Sequence, residues 1–107
     1  MILYGAPMPA PNPRRVRIFL AEKGIDLPET TVDMRKREHK SSDYRAKNSL
    51  GQIPTLELDD GATISETVAI CRYFEETNPE PPLFGRTALE KAHVDMWVRR
   101  VEFVLMT

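Results

Sequence analysis

Residues 1–24, with the sequence MILYGAPMPAPNPRRVRIFLAEKG, decide the class of fold. The apolar run at 1–4 is bounded by Gly5 and predicts a short buried strand. Prolines at positions 7, 9 and 11 remove backbone N–H groups from the next segment, so it can form neither a helix nor a central strand. We therefore expect the fold to begin with a strand, a proline-rich loop and a helix.

The helix is predicted over residues 13–23. Asn12 can cap the free N–H groups at its start, and Pro13 suits a first helical turn. Gly24 follows Lys23 and supplies a left-handed stop. The apolar side chains in between recur at helical spacing: Val16, Phe19 and Leu20.

Three further strands are predicted downstream. The β-branched run at 30–34 favours a strand, residues 55–58 alternate in polarity, and residues 62–64 return as a hairpin partner across an Asp-Asp-Gly turn. The intervening stretch at 35–47 is basic, with six Lys or Arg against two acidic residues. Within it, a short helix is predicted at 43–46.

A second helix is predicted over residues 65–77, with Ser65 as its cap and Asn78-Pro79 as its end. Its predicted apolar face consists of Ala69, Ile70, Tyr73, Phe74 and Thr77. The order of elements is β-α-β followed by β-β-α. This order predicts an α/β fold with a mixed four-stranded sheet, in which the first two strands are parallel and the last two form an antiparallel hairpin.

A third helix is predicted over residues 88–107. Thr87 and Glu90 form a capping-box pattern at its start. Its apolar stripe consists of Val94, Trp97, Val101, Val104 and Leu105. A stripe this wide needs a partner, which is either another subunit or a later part of a longer chain, and we favour the longer chain. For these 107 residues alone, the stripe predicts self-association or marginal stability.

Composition excludes several classes of function. The chain is 41% hydrophobic and 29% charged with a net charge of −1, which excludes a nucleic-acid binder or membrane anchor that relies on bulk positive charge. Cys71 is the only cysteine, so an intramolecular disulfide framework and a CxxC motif are excluded and a reducing cytoplasm is expected. Cys71 is expected to be a small buried side chain, and His93 a surface or packing residue; no metal site is predicted.

Four stretches carry a family resemblance: Leu3-Tyr4-Gly5, residues 11–17 running into 21–24, residues 48–54, and residues 65–70. Together and in this order, they make residues 1–80 resemble the N-terminal half of a cytosolic glutathione S-transferase. The resemblance implies a thioredoxin-like domain at 1–78 that binds glutathione, a linker at 79–86, and the first helix of a truncated helical domain at 87–107. A whole family member needs about twice this length, so the chain resembles a fragment.

The resemblance also implies a set of glutathione-binding positions: His39, Lys40, Gln52, Ile53, Pro54, Glu66 and Thr67. Glu66 and Thr67 are assigned to the γ-glutamyl end, where a helix N-terminus receives a carboxylate and Glu66 pairs with the ammonium. The alternative is that both residues only begin a helix.

The remaining implied positions serve the rest of the tripeptide. In the family the proline at position 54 follows a cis bond, which leaves the preceding main chain to pair with the cysteinyl residue of glutathione. Gln52 is placed near the peptide backbone. Lys40, with His39, is assigned to the glycyl carboxylate. The alternative for Pro54 is a trans proline that opens a strand. The alternative for Lys40 and His39 is that they belong to a solvated basic loop.

The catalytic position departs from the family pattern. Family members place a Tyr, Ser or Cys near the sulfur, and the resemblance puts Ala10 at the Ser/Cys position. Alanine can neither donate a hydrogen bond nor form a disulfide. The candidates for thiol activation are therefore Asn12 and Arg14 in the first helix and Tyr4 in the first strand. Asn12 and Arg14 are candidates because they lie at the N-terminus of the helix, which can stabilise a thiolate.

The resemblance implies an enzyme that conjugates the thiolate of bound glutathione to a small electrophile. A glutathione-dependent disulfide or peroxide reductase, and a non-catalytic glutathione-binding or interaction module, are the alternatives. The expected partners are glutathione as co-substrate and, for the full-length protein, a second copy in a homodimer. Nucleic acid and membrane are not expected as partners, and the expected location is the cytoplasm.

Overall fold

The structure is a computed structural model that describes residues 1–5, 11–31 and 53–105. The described residues form four strands: β1 (Ile2–Gly5), β2 (Glu29–Thr31), β3 (Thr55–Glu57) and β4 (Thr63–Ser65). They also form three α-helices and a π-helical turn: α1 (Pro11–Lys23), α2 (Thr67–Thr77), α3 (Ala88–Arg100) and the turn Val101–Leu105. The predicted helix at 43–46 and residues 32–34 of the second predicted strand lie outside the described residues.

The strands form one mixed sheet in the order β2-β1-β3-β4. β1 runs parallel to β2, with Leu3 opposite Glu29, and antiparallel to β3, with Leu3 opposite Leu56. β3 and β4 form the antiparallel hairpin, with Leu56 opposite Ile64. The predicted sheet is therefore confirmed, although β4 lies one residue later than predicted.

The core lies between one face of the sheet and helices α1 and α2. Leu3 and Leu56 project from the central strands and are almost completely buried. Val16 from α1 and Ile70 from α2 belong to the same cluster and are 0% exposed. Burying each aliphatic side chain of this size contributes about 1.5–3 kcal/mol, so these four residues are the main apolar attachment of the helices to the sheet.

Helix α1 begins at Pro11, two residues before the predicted start. Asn12 therefore lies in the first turn and is not the cap, so that prediction was wrong. A proline at the first helical position has its φ set for a helix and lacks an N–H that would need a partner, which allows the earlier start. At the other end, Gly24 has a φ of 69° and ends the helix as predicted.

Helix α2 also begins at a different residue from the one predicted. Ser65 pairs with Thr55 in the sheet, so it is the last residue of β4 and not the cap of the helix. Glu66 occupies the cap position without a side-chain capping hydrogen bond. The buried face is rotated by one position relative to the prediction, because Cys71 and Glu75 are buried while Ala69 and Thr77 are exposed.

The buried cation at the end of α1 joins three parts of the chain. The Lys23 ammonium, with a side chain 0% exposed, lies 2.7 Å from Oε1 of Glu75 in α2. It also donates hydrogen bonds to the carbonyls of Asn78 at 2.6 Å and Pro81 at 2.5 Å. Glu75 in turn accepts a hydrogen bond from the backbone N–H of Phe84 at 3.1 Å. Both buried charges are thereby paired, and the segment that follows α2 is attached to both helices.

Helix α3 begins with the predicted capping box. The Thr87 hydroxyl accepts a hydrogen bond from the Glu90 N–H at 3.1 Å, and Glu90 accepts one from the Arg86 N–H at 2.8 Å. The α-helix ends at Arg100 rather than continuing through the predicted range, and a π-helical turn follows. The predicted stripe remains largely uncovered, since Trp97 is 58% exposed. The Leu105 side chain and residues 106–107 lie outside the described part.

We expect Lys23 and Glu75 to be strongly coupled in stability. Glu75→Gln leaves the buried ammonium without a counter-charge, so it should lower the free energy of unfolding by about 3 kcal/mol. Lys23→Met leaves the Glu75 carboxylate without a counter-charge, so it should lower the free energy of unfolding by a similar amount. The double variant should lose clearly less than the sum of the two single losses, as measured by urea denaturation.

The exposed pair Asp95 and Arg99, whose side chains are 43% and 67% exposed, provides the control. Its double-variant cycle should show coupling of no more than about 0.5 kcal/mol. Additive losses at Lys23 and Glu75 would contradict a coupled buried pair.

Candidate functional site

The predicted site residues belong to segments that meet at one edge of the sheet. The registers pair Gly5 with Thr31, Tyr4 with Thr55, and Thr55 with Ser65. β1, β2 and β4 therefore end at the same edge at which β3 begins. Helix α1 follows β1 after residues 6–10, and helix α2 follows β4 directly, so the chain returns to this edge between successive elements.

The peptide bond between Ile53 and Pro54 is cis, which confirms the expectation drawn from the family resemblance. Pro54 is buried and Ile53 is half-buried. Both residues immediately precede Thr55, the first residue of β3. The main chain of Ile53 therefore lies next to the sheet edge but is not part of the β3 strand.

Glu66 stands between β4 and α2 in an unusual backbone conformation. Its φ is 74°, the single positive value among the non-glycine residues that the structure describes, and its side chain is exposed. A non-glycine residue in a sparsely populated region costs about 1–3 kcal/mol and persists where the surroundings determine it. Thr67 follows as the first residue of α2 and is 8% exposed. A carboxylate and a helix N-terminus therefore lie together next to cis-Pro54.

Helix α1 contributes a second N-terminus at this edge. Asn12 is half-buried in its first turn, and Arg14 is exposed. Arg15 donates hydrogen bonds from Nη1 to Oδ1 of Asn12 at 3.3 Å and to Oε2 of Glu102 at 3.0 Å. The start of α1 is therefore linked to the π-helical turn after α3.

The Tyr4 hydroxyl is directed along the sheet towards the other end of β1. It donates a hydrogen bond to Oε1 of Glu57 at 3.2 Å. Glu57 stands opposite Ile2, at the start of β1, whereas the edge described above lies at the end of β1. Partial burial, together with the Glu57 carboxylate and its hydrogen bond, raises the pKa of Tyr4. A phenol with a raised pKa beside a carboxylate remains a protonated donor to that carboxylate.

Several predicted site residues fall outside the part of the chain that the structure describes. They are Ala10, His39, Lys40 and Gln52. Their proposed roles stay predictions. In the sequence, Ala10 lies between β1 and α1, whereas His39, Lys40 and Gln52 lie between β2 and β3.

Cys71 is buried in α2, as expected of a small packing residue. It borders a cleft of about 200 Å³ between α1, α2 and α3, whose wall also includes Arg15, Phe84 and Val94. Burial raises the pKa of the Cys71 thiol to about 11, with Arg15 opposing the increase and Glu102 adding to it. Because the thiolate is the nucleophilic form, Cys71 is not suited to covalent catalysis near neutral pH.

The described parts of the chain show neither a transmembrane helix nor a metal site. None of their helices combines the length and apolar character that a membrane span requires. Among these residues, no three or more His, Cys, Asp or Glu side chains lie close enough together to hold a metal ion. His93 is exposed on α3 beside an apolar cleft of about 380 Å³.

Two features of the site had no signal in the sequence pattern. Arg15 and Glu102 are separated by 87 positions, so nothing local indicates that their side chains meet. The positive φ of Glu66 was also missed, because a Ser-Glu-Thr sequence favours an ordinary helix start at Ser65. Only the pairing of Ser65 in β4 moves the start of the helix and forces the turn at Glu66.

Comparisons with known proteins agree with this architecture. Residues 10–77 match the family model of the glutathione S-transferase N-terminal domain. The chain is 42% identical over 108 residues to glutathione S-transferase 2 of Saccharomyces cerevisiae, an alignment that covers 99% of this chain and 46% of the yeast protein.

Two solved structures share the fold over nearly all of the chain. The crystal structure of Gtt2 from Saccharomyces cerevisiae gives a TM-score of 0.91 at 42% identity, over 96% of this chain and 50% of that one. A glutathione transferase homologue from Sulfitobacter was solved with bound glutathione. It gives a TM-score of 0.86 at 25% identity, over 94% of this chain and 48% of that one.

The sheet, its two covering helices and the cis-proline edge define a thioredoxin-like domain. The chain belongs to the glutathione S-transferase family, since that family's N-terminal domain model spans more than half of it. It spans about half the length of the relatives described above.

The raised pKa of Cys71 predicts a specific loss of stability in alkaline solution. Above the ordinary thiol pKa of 9.0, the unfolded chain releases the proton that the folded chain retains up to about pH 11. The unfolded state therefore binds fewer protons in this interval, so the free energy of unfolding falls as pH rises. Two pKa units correspond to about 2–3 kcal/mol, which is an upper limit for a thiol that is not completely buried.

Urea denaturation at several pH values between 9 and 11 measures this loss. Cys71→Ala should remove that part of the slope, while the contribution of the lysines and tyrosines remains in both proteins. Parallel slopes for the two proteins would show that Cys71 titrates normally in the folded state.

Proposed function

We propose that this chain forms the glutathione site of a glutathione transferase. The observation that carries the proposal is the meeting of Glu66, Thr67 and cis-Pro54 at the edge where α1 also begins. Glutathione has two carboxylates, one ammonium and one thiol. The edge offers a group of matching chemistry for the γ-glutamyl end, for the peptide backbone and for the sulfur.

The γ-glutamyl end binds at the start of α2. The helix N-terminus presents N–H groups and partial positive charge to the carboxylate, and Thr67 lies in this first turn. The exposed Glu66 carboxylate pairs with the ammonium. The backbone conformation of Glu66 supports this role, because strained residues concentrate at ligand sites.

The peptide part of glutathione binds alongside residues 53 and 54. The main chain of Ile53, next to β3 but not part of it, pairs with the cysteinyl residue, and Gln52 contacts the peptide backbone. Lys40, with His39, binds the glycyl carboxylate. The relative from Sulfitobacter that was solved with glutathione aligns with 94% of this chain, which supports the assignment of the ligand.

The sulfur lies at the start of α1, where the helix N-terminus and the Asn12 side chain stabilise the thiolate. Arg14, exposed in the same turn, adds positive charge. The thiolate sulfur attacks an electrophilic carbon, a C–S bond forms, and the leaving group departs with its bonding electron pair. Fixing the nucleophile and lowering its pKa is the contribution of these residues.

For the whole protein we propose a cytoplasmic enzyme that assembles as a homodimer and acts on glutathione and a small electrophile, without a nucleic-acid or membrane partner. The family of the chain supports the reaction class. The domain division at 1–78, 79–86 and 87–107 belongs to the same proposal. It is supported by the end of α2 at Thr77 and the start of α3 at Ala88.

We expect Glu66→Ala to weaken glutathione binding at least tenfold in calorimetry, because the ammonium loses its counter-charge. Glu66→Gly should lose binding equally. However, Glu66→Gly should be about 1 kcal/mol more stable than Glu66→Ala, because glycine tolerates a φ of 74°.

Glu76→Ala is the matched control, since Glu76 is an exposed carboxylate on the same helix. It should bind glutathione as the wild type does. If both Glu66 variants bound glutathione as tightly as the wild type, the γ-glutamyl end would not bind at Glu66. A folded wild-type chain that binds no glutathione would contradict a glutathione site formed by these residues alone and would favour an interaction module that does not bind glutathione.

Tyr4→Phe should leave the pH midpoint of thiolate formation in bound glutathione unchanged, because the hydroxyl donates to Glu57 at the other end of β1. Ultraviolet absorbance of the thiolate across a pH series measures this midpoint. An upward shift of about a unit or more, the effect of losing a strong hydrogen bond, would assign the donor role to Tyr4.

A further inference from the structure

Arg15 connects the first turn of α1 to the π-helical turn Val101–Leu105. One nitrogen, Nη1, donates to both Oδ1 of Asn12 at 3.3 Å and Oε2 of Glu102 at 3.0 Å. The Arg15 and Glu102 side chains are 29% and 28% exposed, so the ion pair is partly shielded from solvent. Pairs in such positions retain more of their interaction than fully exposed pairs do.

The bond to Asn12 determines which end of its side-chain amide faces Arg15. An amide has an acceptor oxygen and a donor NH2 group, whereas a guanidinium has donors only. Arg15 therefore holds the oxygen, and the amide nitrogen is directed away from it. A thiolate is stabilised by a donor and repelled by an oxygen, so this orientation matters for a sulfur at the start of α1.

Glu102 restricts the Arg15 side chain. A free arginine has many rotamers, and confining it costs side-chain entropy. The carboxylate from the π-helical turn offsets part of this cost through a charge-assisted hydrogen bond. The Arg15 guanidinium that donates to Asn12 is thus already held in place by Glu102.

We propose that Arg15 is a positioning residue which, held by Glu102, turns the donor end of the Asn12 amide towards the sulfur of bound glutathione. This inference rests on the proposed function and adds two residues to it. Other titratable groups near Arg15 are Cys71 on α2, which borders the cleft of about 200 Å³ together with Arg15, and His93 on α3, which borders the cleft of about 380 Å³ together with Arg15. The Cys71 thiol titrates near pH 11, well above the range in which an activated glutathione thiol is measured.

The test is the ultraviolet pH titration of the thiolate in the 107-residue chain saturated with glutathione. In the wild type, the midpoint should lie below that of free glutathione. Glu102→Gln should raise this midpoint by about half a unit or more, as expected for weakening one hydrogen bond to the thiolate. Arg15→Gln and Asn12→Ala should raise it as well.

The direction in which Glu102→Gln shifts the thiolate midpoint distinguishes the positioning of Asn12 from the direct effect of the Glu102 charge. Removing a negative charge near the site would by itself favour the thiolate and lower the midpoint. If Glu102 acts through Asn12, the Glu102→Gln change should also have no further effect in an Asn12→Ala background. Asp95→Asn, which removes the carboxylate of the exposed pair on α3, should leave the midpoint unchanged.

A Glu102→Gln midpoint that is unchanged or lowered would falsify the inference while leaving the proposed function intact. An unchanged midpoint in Asn12→Ala, with glutathione shown by calorimetry to be bound, would also overturn the inference; it would remove Asn12 from the groups proposed to activate the thiol but leave the glutathione site in place. Thermal melting of each variant separates a shifted midpoint from partial unfolding. Absence of glutathione binding by the wild type would overturn the proposed function and this inference together.

Discussion

The buried ammonium of Lys23 is the interaction on which the arrangement of the helices depends. It lies at the end of α1, pairs with Glu75 of α2, and donates to two carbonyls of the segment after α2. The apolar core attaches each helix to the sheet, but apolar contacts are not directional. A buried cation requires a counter-charge and oxygen acceptors in particular places, so it determines where the chain leaves α2. Phe84, held through Glu75, then leads into α3.

With the helices held in this way, the functional edge follows from topology. The ends of three strands, the beginning of the fourth and the N-termini of α1 and α2 all lie at this edge. Helix N-termini attract negative charge, and glutathione carries two carboxylates and a thiolate. The strained backbone at Glu66 is located where β4 passes directly into α2, so one conformational cost brings a carboxylate and a helix N-terminus together at the proposed glutathione site.

Local patterns predicted the existence and the type of most described elements, and physical reasons explain where they failed. The spacing of Val16 and Leu20 identified the buried face of α1, because this pattern reflects a single covered side. The alternation of β3 identified the strand but not its burial, because Thr55 and Leu56 are both 0% exposed. Asn12 and Ser65 were wrongly assigned as caps. In each case a neighbouring constraint was stronger than capping preference: Pro11 at the first helical position, and the pairing of Ser65 with Thr55. In the sequence, Lys23 is an ordinary basic residue in the last turn of a helix. Its burial could not be predicted, because it depends on pairing with Glu75, 52 positions later.

The sequence by itself determined the α/β class, the order of strands and helices, the family resemblance and the positions expected to bind glutathione. These properties depend on local spacing, on turn residues and on short motifs, all of which can be read along the chain. Only the tertiary structure decided that Tyr4 donates to Glu57, that Glu66 adopts a positive φ, and that Arg15 joins Asn12 to Glu102. These contacts depend on strand register and on helices meeting across long sequence separations, so packing in three dimensions selects them and no local pattern encodes them.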